Sequence, residues 1–406
     1  MALLVAFWLV DELRNRAVPL WIDVGNSLET SLLYLGPIVA SATAFQSVRE
    51  GRGALRELLD STPRADVMRS LVLVLGELVW GIAVLLVVTL WLLVVTGLRA
   101  SYGGPDTELI AAGFGAVAAF ASIGFLAGRL LPSFVTPPLV GLGAYLGIWL
   151  TGVGETPFRL LSPLIDGEPT PLLPFPPSVG LLQTSWFLCL AVVAFGIGIL
   201  WREASAGVSV VTLIAGALAL LSAVGLVARG QVFVDSVGVN YASVCRSRSG
   251  IDVCIHPAYA SVADQAAVVA ARTLRPIKEA TGWPTRTLQV GLMADAHRIE
   301  QLEPTTLGFT TSPVGAEGFE ETGFSQGLAF AALGFDKCDR LDPDDPVRVG
   351  LAIWLIERAD PGSAPIEGLP MTEWLNDQPP TIIDTWLETY LGPLRACDDV
   401  ALPSLG

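Results

Sequence analysis

The chain has 406 residues, of which 52% are hydrophobic and only 16% charged, and its mean hydropathy is +0.58. These values exclude an ordinary soluble globular protein, because they arise from runs of roughly 20 apolar residues that suit a bilayer. The formal net charge of -15 argues against nucleic acid or an anionic lipid surface as a partner, since a net-negative face repels both.

The charge is concentrated in the C-terminal part. Residues 230–406 carry 24 Asp and Glu against 12 Lys and Arg, so -12 of the total belongs to them. We therefore predict a transmembrane domain over 1–229 and a separate acidic domain over 230–406. The second domain is long enough to form its own hydrophobic core.

Apolar runs predict an α-helical polytopic membrane bundle of about 6–7 spans. The first run, Met1–Val10, is too short to cross alone and is interpreted as an incomplete or tilted span, so whether residues 1–20 form a full span stays open. A cleaved signal peptide is the alternative, although the run lacks a basic n-region. The clearer spans lie at about Thr30–Val48, Leu71–Leu98, Leu109–Gly128, Pro137–Thr151, Thr184–Trp201 and Val208–Ala228.

The connection 49–69 is the one loop rich in arginine, and it sets the predicted topology. It holds Arg49, Arg52, Arg56, Arg64 and Arg69. Short loops rich in Lys and Arg stay on the cytoplasmic side. Alternation then places the Pro-rich loop 152–183 and everything beyond residue 229 outside, where disulfides persist.

Two features inside the predicted spans are of interest. Glu77 lies in an otherwise apolar helix, where an ionisable residue is a functional hypothesis by default. The alternative is that it reaches the cytoplasmic interface or bonds a neighbouring helix. The pairs Gly124 with Gly128 and Gly143 with Gly147 have the spacing that allows close helix packing.

The segment 241–256 is predicted to be a β-hairpin with its turn at Ser249-Gly250. A two-residue turn there places Cys245 opposite Cys254 at a non-hydrogen-bonded site, where side chains approach closely enough for a disulfide. A metal site that includes His256 is the alternative, but one His with two Cys is a weak ligand set. Cys338 and Cys397 are the two remaining cysteines of this domain, so by elimination they are predicted to pair with each other.

The rest of this domain has an α/β pattern. Ser261 with Asp264 predicts a helix start, Gly282 a helix end, and the run 286–293 a strand. Asp345-Pro346 predicts the start of another helix, and Thr381–Leu391 a further amphipathic one. The stretch 305–334 is rich in Gly and Thr and is predicted to be loop.

The sequence lacks the motifs of P-loop ATPases and zinc proteases, and we predict no catalytic residue, metal or cofactor. GxxxxGK[ST] and HExxH are both missing, so the chain cannot hydrolyse ATP by a P-loop mechanism on its own. The acidic cluster Asp342, Asp344 and Asp345 could bind calcium, but capping and solvation explain it better because no EF-hand loop accompanies it.

The order of spans and the segment REGRGALRELLD (49–60) before STPR (61–64) resemble the ABC-2-type permeases. The resemblance covers about residues 1–201. It implies that the loop between the second and third spans forms a coupling helix that docks on a separate ATPase. It also implies that the Pro-rich loop 152–183 belongs to the outer region where this family places short re-entrant helices.

The chain departs from that family in its C-terminal part. The family core usually has six spans with both ends inside, whereas a seventh span here would carry the C-terminus outside. Some permeases of this kind are fused to aminopeptidase-like domains, which the stretch 274–290 resembles. Without HExxH, such a domain would be catalytically inactive.

The predicted coupling helix has two faces. Leu55, Leu58 and Leu59 can form an apolar strip, while Arg52 and Arg56 stay hydrated. An ATPase bound to such a helix could convert nucleotide-driven closure into tilting of the attached spans. A helix that only lies on the lipid surface is the alternative, and arginines beside leucines suit it equally well.

The sequence therefore predicts a permease subunit of an ABC-type exporter in the cell membrane, followed by an α/β extracytoplasmic domain that contacts cargo or a surface partner. The expected partners are a P-loop ATPase subunit, a second permease copy or a homologous permease, and membrane lipids. A membrane-anchored sensor or scaffold without transport activity is the alternative. A hydrolase is disfavoured by the missing motifs.

Overall fold

The computed structural model describes residues 20–50, 66–152, 158–164, 178–201, 205–232, 242–290, 302–315, 318–335, 345–359, 369–396, 398 and 400. The chain forms two compact units. The membrane unit contains the helices up to residue 232, and the second unit, the C-terminal unit, contains the elements from residue 244 onward.

The membrane unit is built from helices. They are α1 (Trp21–Glu50), α2 (Asp66–Gly97), α3 (Thr107–Leu130), α4 (Thr136–Gly152), a 3-10 helix (Arg159–Leu161), α5 (Val179–Leu200) and α6 (Ala206–Val232). Five of these, α1, α2, α3, α5 and α6, are long and apolar enough to cross a membrane. Helix α4 is apolar but has only 17 residues, a length of about 25 Å that is slightly short for the roughly 30 Å hydrocarbon core.

Helices cover each of the clearer predicted spans, but α2 and α5 begin five residues before the predicted starts and α6 ends four residues after the predicted end. The largest difference is at α1. This helix begins at Trp21, well before the predicted span at Thr30, and so includes Asp23 and Glu29. Both side chains are buried, with exposed fractions of 5% and 8%. The prediction stopped at Thr30 because acidic residues interrupt the apolar run, yet the helix continues through them. The run Met1–Val10 lies outside the described residues.

Helices α1 and α3 pack closely against each other. A Cβ at Gly124 would overlap the carbonyl oxygen of Ala40, and a Cβ at Gly128 would lie 2.7 Å from both the Ala44 carbonyl oxygen and the Ser47 Cβ. Ser47 Oγ donates a hydrogen bond across the interface to the Phe125 carbonyl at 3.1 Å. The glycines thus let the two backbones approach, as their spacing predicts.

The second glycine pair behaves differently. A Cβ at Gly143 or Gly147 on α4 would meet no described atom within 4 Å. The prediction of close helix packing is therefore wrong for this pair within the described chain. Helix α4 contacts α1 through Gly141 instead, beside Ser41, whose hydroxyl donates to the Pro137 carbonyl at 3.0 Å.

The C-terminal unit contains a mixed sheet and helices, in agreement with the α/β prediction. Its elements are β1 (Val244–Arg248), β2 (Ile251–Ile255), a 3-10 helix (Pro257–Val262), α7 (Ala263–Thr273), α8 (Arg275–Thr281), β3 (Arg286–Gln289), β4 (Thr306–Phe309), β5 (Val314–Gly315), β6 (Gly318–Phe319), α9 (Glu321–Ala332), α10 (Pro346–Ala359), α11 (Pro370–Asp377) and α12 (Pro380–Arg395). The four-stranded sheet has the order β1-β2-β3-β4. Strands β2, β3 and β4 are parallel, whereas β1 is antiparallel to β2.

The hairpin β1-β2 has the predicted register. Cys245 pairs with Cys254 across it, and the two form a disulfide. Ser249 and Gly250 both have positive φ, 48° and 74°, as a two-residue turn that matches strand twist requires. The disulfide is therefore confirmed, and the metal-site alternative for these cysteines is wrong. Cys338 and Cys397 lie outside the described residues, so their pairing stays a prediction.

Three local predictions in the C-terminal unit need correction. Ser261 does not begin a helix of its own: it lies in a 3-10 helix, and α7 follows without a side-chain cap. The helix that follows breaks at Leu274, because Pro276 lies in the first turn of α8 and cannot continue the hydrogen bonding of α7. The stretch 305–334 is not loop, since it contains β4, β5, β6 and α9.

The two edges of the sheet differ. Strand β1 lies at one edge, and residues 245–248 are exposed, including Arg246 and Arg248. Strand β4 lies at the other edge, and all four of its residues are buried. Its Phe309 packs edge-on against Phe324 of α9, with ring centroids 5.4 Å apart. The sheet is thus covered at β4 and open at β1.

Candidate functional site

The predicted coupling residues lie outside the described part of the chain. Arg52, Leu55, Arg56, Leu58 and Leu59 all fall in 51–65, between the end of α1 and the start of α2. Their proposed role stays a prediction. The structure does describe the helix ends that flank this connection, and these show how the connection is attached to the bundle.

Glu77 lies in α2, about three turns from its first residue. Its side chain is half-buried, between the strongly exposed Val79 and Trp80 and the interior of the unit. No arrangement of described acidic or basic residues around it forms a site. Its functional role therefore remains a hypothesis.

A buried arginine connects three helices at the end of the bundle where α1 ends and α2 begins. Arg129 of α3 is only 7% exposed. Its guanidinium donates to the Ser70 hydroxyl on α2 and to the Gly198 carbonyl on α5, the second at 3.3 Å. The guanidinium carbon also lies 4.7 Å from the centroid of the Phe125 ring, within the range of a cation–π contact.

This cluster, Ser70, Phe125, Arg129 and Gly198, is called the arginine cluster below. Ser70 lies in the first turns of α2, directly after the arginine-rich connection. A buried guanidinium is costly unless its donors are satisfied. The hydrogen bonds of Arg129 thus link the start of α2 to α3 and α5 at this end.

The opposite end of the bundle also contains buried polar groups. Gln183 of α5 is 2% exposed, and its Nε2 donates to the carbonyls of Leu160 at 2.9 Å and Ser162 at 3.3 Å. Trp186 Nε1 donates to the Leu161 carbonyl at 3.2 Å. These bonds pin the 3-10 helix against α5, and Leu160 is fully buried. A short helical turn thus lies in the described part of the Pro-rich loop.

The sequence analysis did not identify two buried polar residues of the membrane unit, Gln183 and Glu29. Gln183 lies just before the predicted span at Thr184, and Glu29 just before the one at Thr30, so each was placed in a loop. Glu29 and Gln183 both line a narrow cavity of about 10 Å³, which has room for about one water molecule. A polar residue near the start of an apolar run could have signalled a buried group.

An apolar cavity of about 440 Å³ lies beside this polar end. Its walls come from α3, α4, α5 and the segment after the 3-10 helix. Residues of both cavities include Pro163 and Phe187. The volume falls within the range of about 300 to 1,000 Å³ that is usual for small-molecule sites.

In the C-terminal unit, His256 has a structural role. It is 5% exposed, and its Nδ1 accepts a hydrogen bond from the Ala258 N–H at 3.2 Å, which caps the following 3-10 helix. The backbone N–H of His256 donates to the Gln289 Oε1 at 3.0 Å. Among the described residues no group of three or more His, Cys, Asp or Glu is placed to hold a metal ion.

We expect acid to destabilise the C-terminal unit through His256. Burial lowers the pKa of His256 below its ordinary value of 6.5, and its Nδ1 must be unprotonated to accept from Ala258. The unfolded chain therefore binds this proton at a higher pH than the folded chain. The stabilising contribution is fully present above about pH 6.5 and is lost as the pH falls from there towards the folded-state pKa.

Urea midpoints of the C-terminal unit, measured in the full chain at about pH 7.5 and about pH 5.5, test this expectation. In His256→Asn the amide oxygen takes the position of Nδ1 and can accept the same bond without titrating. The difference between the two midpoints should therefore shrink in this variant. An equal difference in both proteins would show that His256 is not responsible.

The chain was also compared with known proteins. No protein-family model, no curated protein and no solved structure matches it. The function must therefore be argued from the residues and the geometry described above.

Proposed function

We propose that this chain is the permease subunit of an ABC-type exporter of the ABC-2 kind. The observation that carries the proposal is the arginine cluster, because it joins the start of α2 to α3 and α5 at the end where the arginine-rich connection leaves and re-enters the bundle. A connection that docks an ATPase needs such a rigid attachment to the spans, since a loosely held helix end would absorb the motion.

The motion would pass from the ATPase through the connection to the helices of the membrane unit. An ATPase that binds the strip Leu55, Leu58 and Leu59 moves the connection when nucleotide binding closes it. The start of α2 moves with it, and Ser70 transfers the displacement to Arg129 and so to α3 and α5. The close contact of α3 with α1 at Gly124 carries it on to α1. Because a packed bundle has discrete arrangements, a small shift can switch it between two of them.

The orientation is part of the proposal. The arginine-rich connection lies in the cytoplasm, and the C-terminal unit is extracytoplasmic. The confirmed disulfide supports this orientation, because disulfides persist mainly in oxidising compartments. In that position the acidic unit can contact cargo or a surface partner, while a second permease copy or a homologous permease completes the pathway in the membrane.

The test is the substitution Leu58→Asp in the full chain, expressed with its native membrane partners. A carboxylate placed without a partner in an apolar contact costs several kcal/mol. We expect the variant to insert and fold normally but to lose the P-loop ATPase on co-purification. ATPase stimulation that depends on the permease should disappear with it.

Two control variants keep this test interpretable. Leu58→Met preserves the apolar volume and should retain the ATPase, and Arg52→Asp places the same carboxylate on the hydrated face and should have a much smaller effect. If Leu58→Asp leaves both association and ATPase stimulation unchanged, the helix is a lipid-surface element. The membrane-anchored sensor or scaffold then becomes the better hypothesis.

A further inference from the structure

The apolar cavity between α3, α4 and α5 opens at the surface of the membrane unit. Its mouth is formed by Gly143 and Gly147 of α4, which are exposed and whose missing side chains leave the space empty. Large apolar side chains that are themselves exposed flank this mouth, among them Leu142 and Leu146. An exposed apolar surface at membrane depth faces lipid, which would give lipid chains access to the cavity.

The polar groups in the cavity wall are already bonded within the protein. Ser162 Oγ donates to the Ile148 carbonyl at 3.1 Å, Thr151 Oγ1 donates to the Gly147 carbonyl at 2.7 Å, and the indole N–H of Trp186 donates to the Leu161 carbonyl. A polar occupant would have to give up its bonds to water and gain few in return. The wall therefore favours an apolar occupant.

The dimensions also favour a long, thin occupant. The lining residues on α4 run from Val140 to Thr151, which corresponds to about 16 Å along a helix. This is roughly half of the 30 Å hydrocarbon core and hence the depth of one leaflet. The polar end lies beside Ser162 and Gln183, where a lipid would have its ester groups.

We propose that this cavity binds one acyl chain of a membrane phospholipid, inserted sideways past Gly143 and Gly147. Hydrophobic transfer does not drive this binding, because the chain leaves an equally apolar environment. It is favourable because an empty cavity of this size deprives its walls of dispersion contacts. The bound chain therefore exchanges with the surrounding lipid. This inference does not depend on the proposed export function.

The experiment uses the full chain in phosphatidylcholine vesicles that contain a small fraction of phosphatidylcholine with a diazirine near the end of one acyl chain. After irradiation, peptide mass spectrometry locates the cross-links. We expect cross-links on the inner wall of the cavity, at Ile123, Trp186 or Leu190. The absence of cross-links there in the unmodified protein would overturn the proposal.

Three variants test whether the cross-links depend on the cavity. Gly147→Leu adds apolar volume where the cavity lining is open, since nothing described lies within 4 Å of the new Cβ, and it should abolish the cross-links on the inner wall. Gly143→Leu is a second variant of the same kind. Gly76→Leu is the matched control, because Gly76 is an exposed glycine on α2 that also meets nothing within 4 Å and does not line the cavity.

The outcomes separate the possibilities. Loss of the inner-wall cross-links in Gly147→Leu and Gly143→Leu, with retention in Gly76→Leu, supports the proposal. Equal labelling in all four proteins, or equal loss in Gly76→Leu, refutes it. A disulfide between the introduced cysteines of two Gly147→Cys copies would assign the mouth to an interface between copies and would also overturn it.

Discussion

Gly124→Leu is expected to prevent assembly of the membrane unit. A Cβ at this position would overlap the Ala40 carbonyl oxygen and lie 2.9 Å from the carbonyl carbon. These are backbone atoms, so they cannot rotate away as a flexible side chain would, and α1 must move off α3. Adding volume to a packed core costs about 1–3 kcal/mol and sometimes more. We expect the larger cost here, since a whole interface must open.

The yield of monodisperse protein in detergent and its thermal unfolding measure the effect. Gly124→Ala should already lower the stability by about 1–3 kcal/mol, because the clash begins at the Cβ. At the exposed Gly76, the same change to alanine should be neutral or stabilising by up to about 1 kcal/mol, owing to helix propensity. Equal stability of Gly124→Ala and Gly76→Ala would contradict the α1–α3 contact described above.

Arg348→Ala is expected to destabilise the C-terminal unit by about 3–5 kcal/mol, the range for breaking a buried ion pair. Arg348 is fully buried in α10. Its guanidinium forms a salt bridge with Asp345 and donates to the carbonyls of Leu394 at 3.1 Å and Asp398 at 2.8 Å. It thus ties the start of α10 to the end of α12. The alanine variant leaves a carboxylate and two carbonyls without these donors.

Resistance of the C-terminal unit to pulse proteolysis at increasing urea concentration, in the full chain, measures this loss. The matched control is Arg275→Ala, which breaks an exposed pair with Glu279 on α8. Exposed pairs of this kind contribute about 0.3–0.5 kcal/mol, so the midpoint should hardly move. If the two variants shift the midpoint by similar amounts, Arg348 does not have the proposed structural role.

Short-range signals in the sequence predicted local structure well. The turn at Ser249-Gly250 gave the correct pairing of Cys245 with Cys254. Gly282 ends α8 with a positive φ of 73°, and Asp345 caps α10 by accepting from the Val347 N–H at 2.9 Å. In each case the determining interaction lies within a few residues along the chain, so a single sequence contains it.

Predictions that depended on distant partners were less successful. Alternation in 286–293 places Leu288 and Val290 on the inner face, yet Thr287 and Gln289 are fully buried while Leu288 is only half-buried. Burial in β3 thus alternates along the strand, but the polar residues occupy the more buried face. The buried amide of Gln289 is satisfied by His256 and Thr311, to which it is bonded at 3.0 Å and 3.1 Å.

In the candidate site, too, local features could be predicted from the sequence but contacts between distant residues could not. Arginine density marked the connection 49–69, but no signal in the sequence showed that Arg129 would bond Ser70 and Gly198 on two other helices. The spacing of glycines predicted contact at Gly124 and equally at Gly143, although only the first has a partner helix. Which face of a helix meets a neighbour is set by the packing of the whole bundle, and spacing alone does not contain it.

The open edge at β1 affects how the protein behaves when many copies are crowded together. An unpaired strand edge offers N–H and C=O groups to any extended chain it meets, including the same strand of a neighbouring copy. Two β1 strands brought together would bring Arg248 of one copy towards that of the other, and like charges opposed in this way repel, whereas Arg246 already pairs with Asp264. The β4 edge is buried and therefore cannot pair with another strand. At the β1 edge, repulsion between arginines opposes such pairing. The unit can thus be displayed at high density without edge-to-edge aggregation.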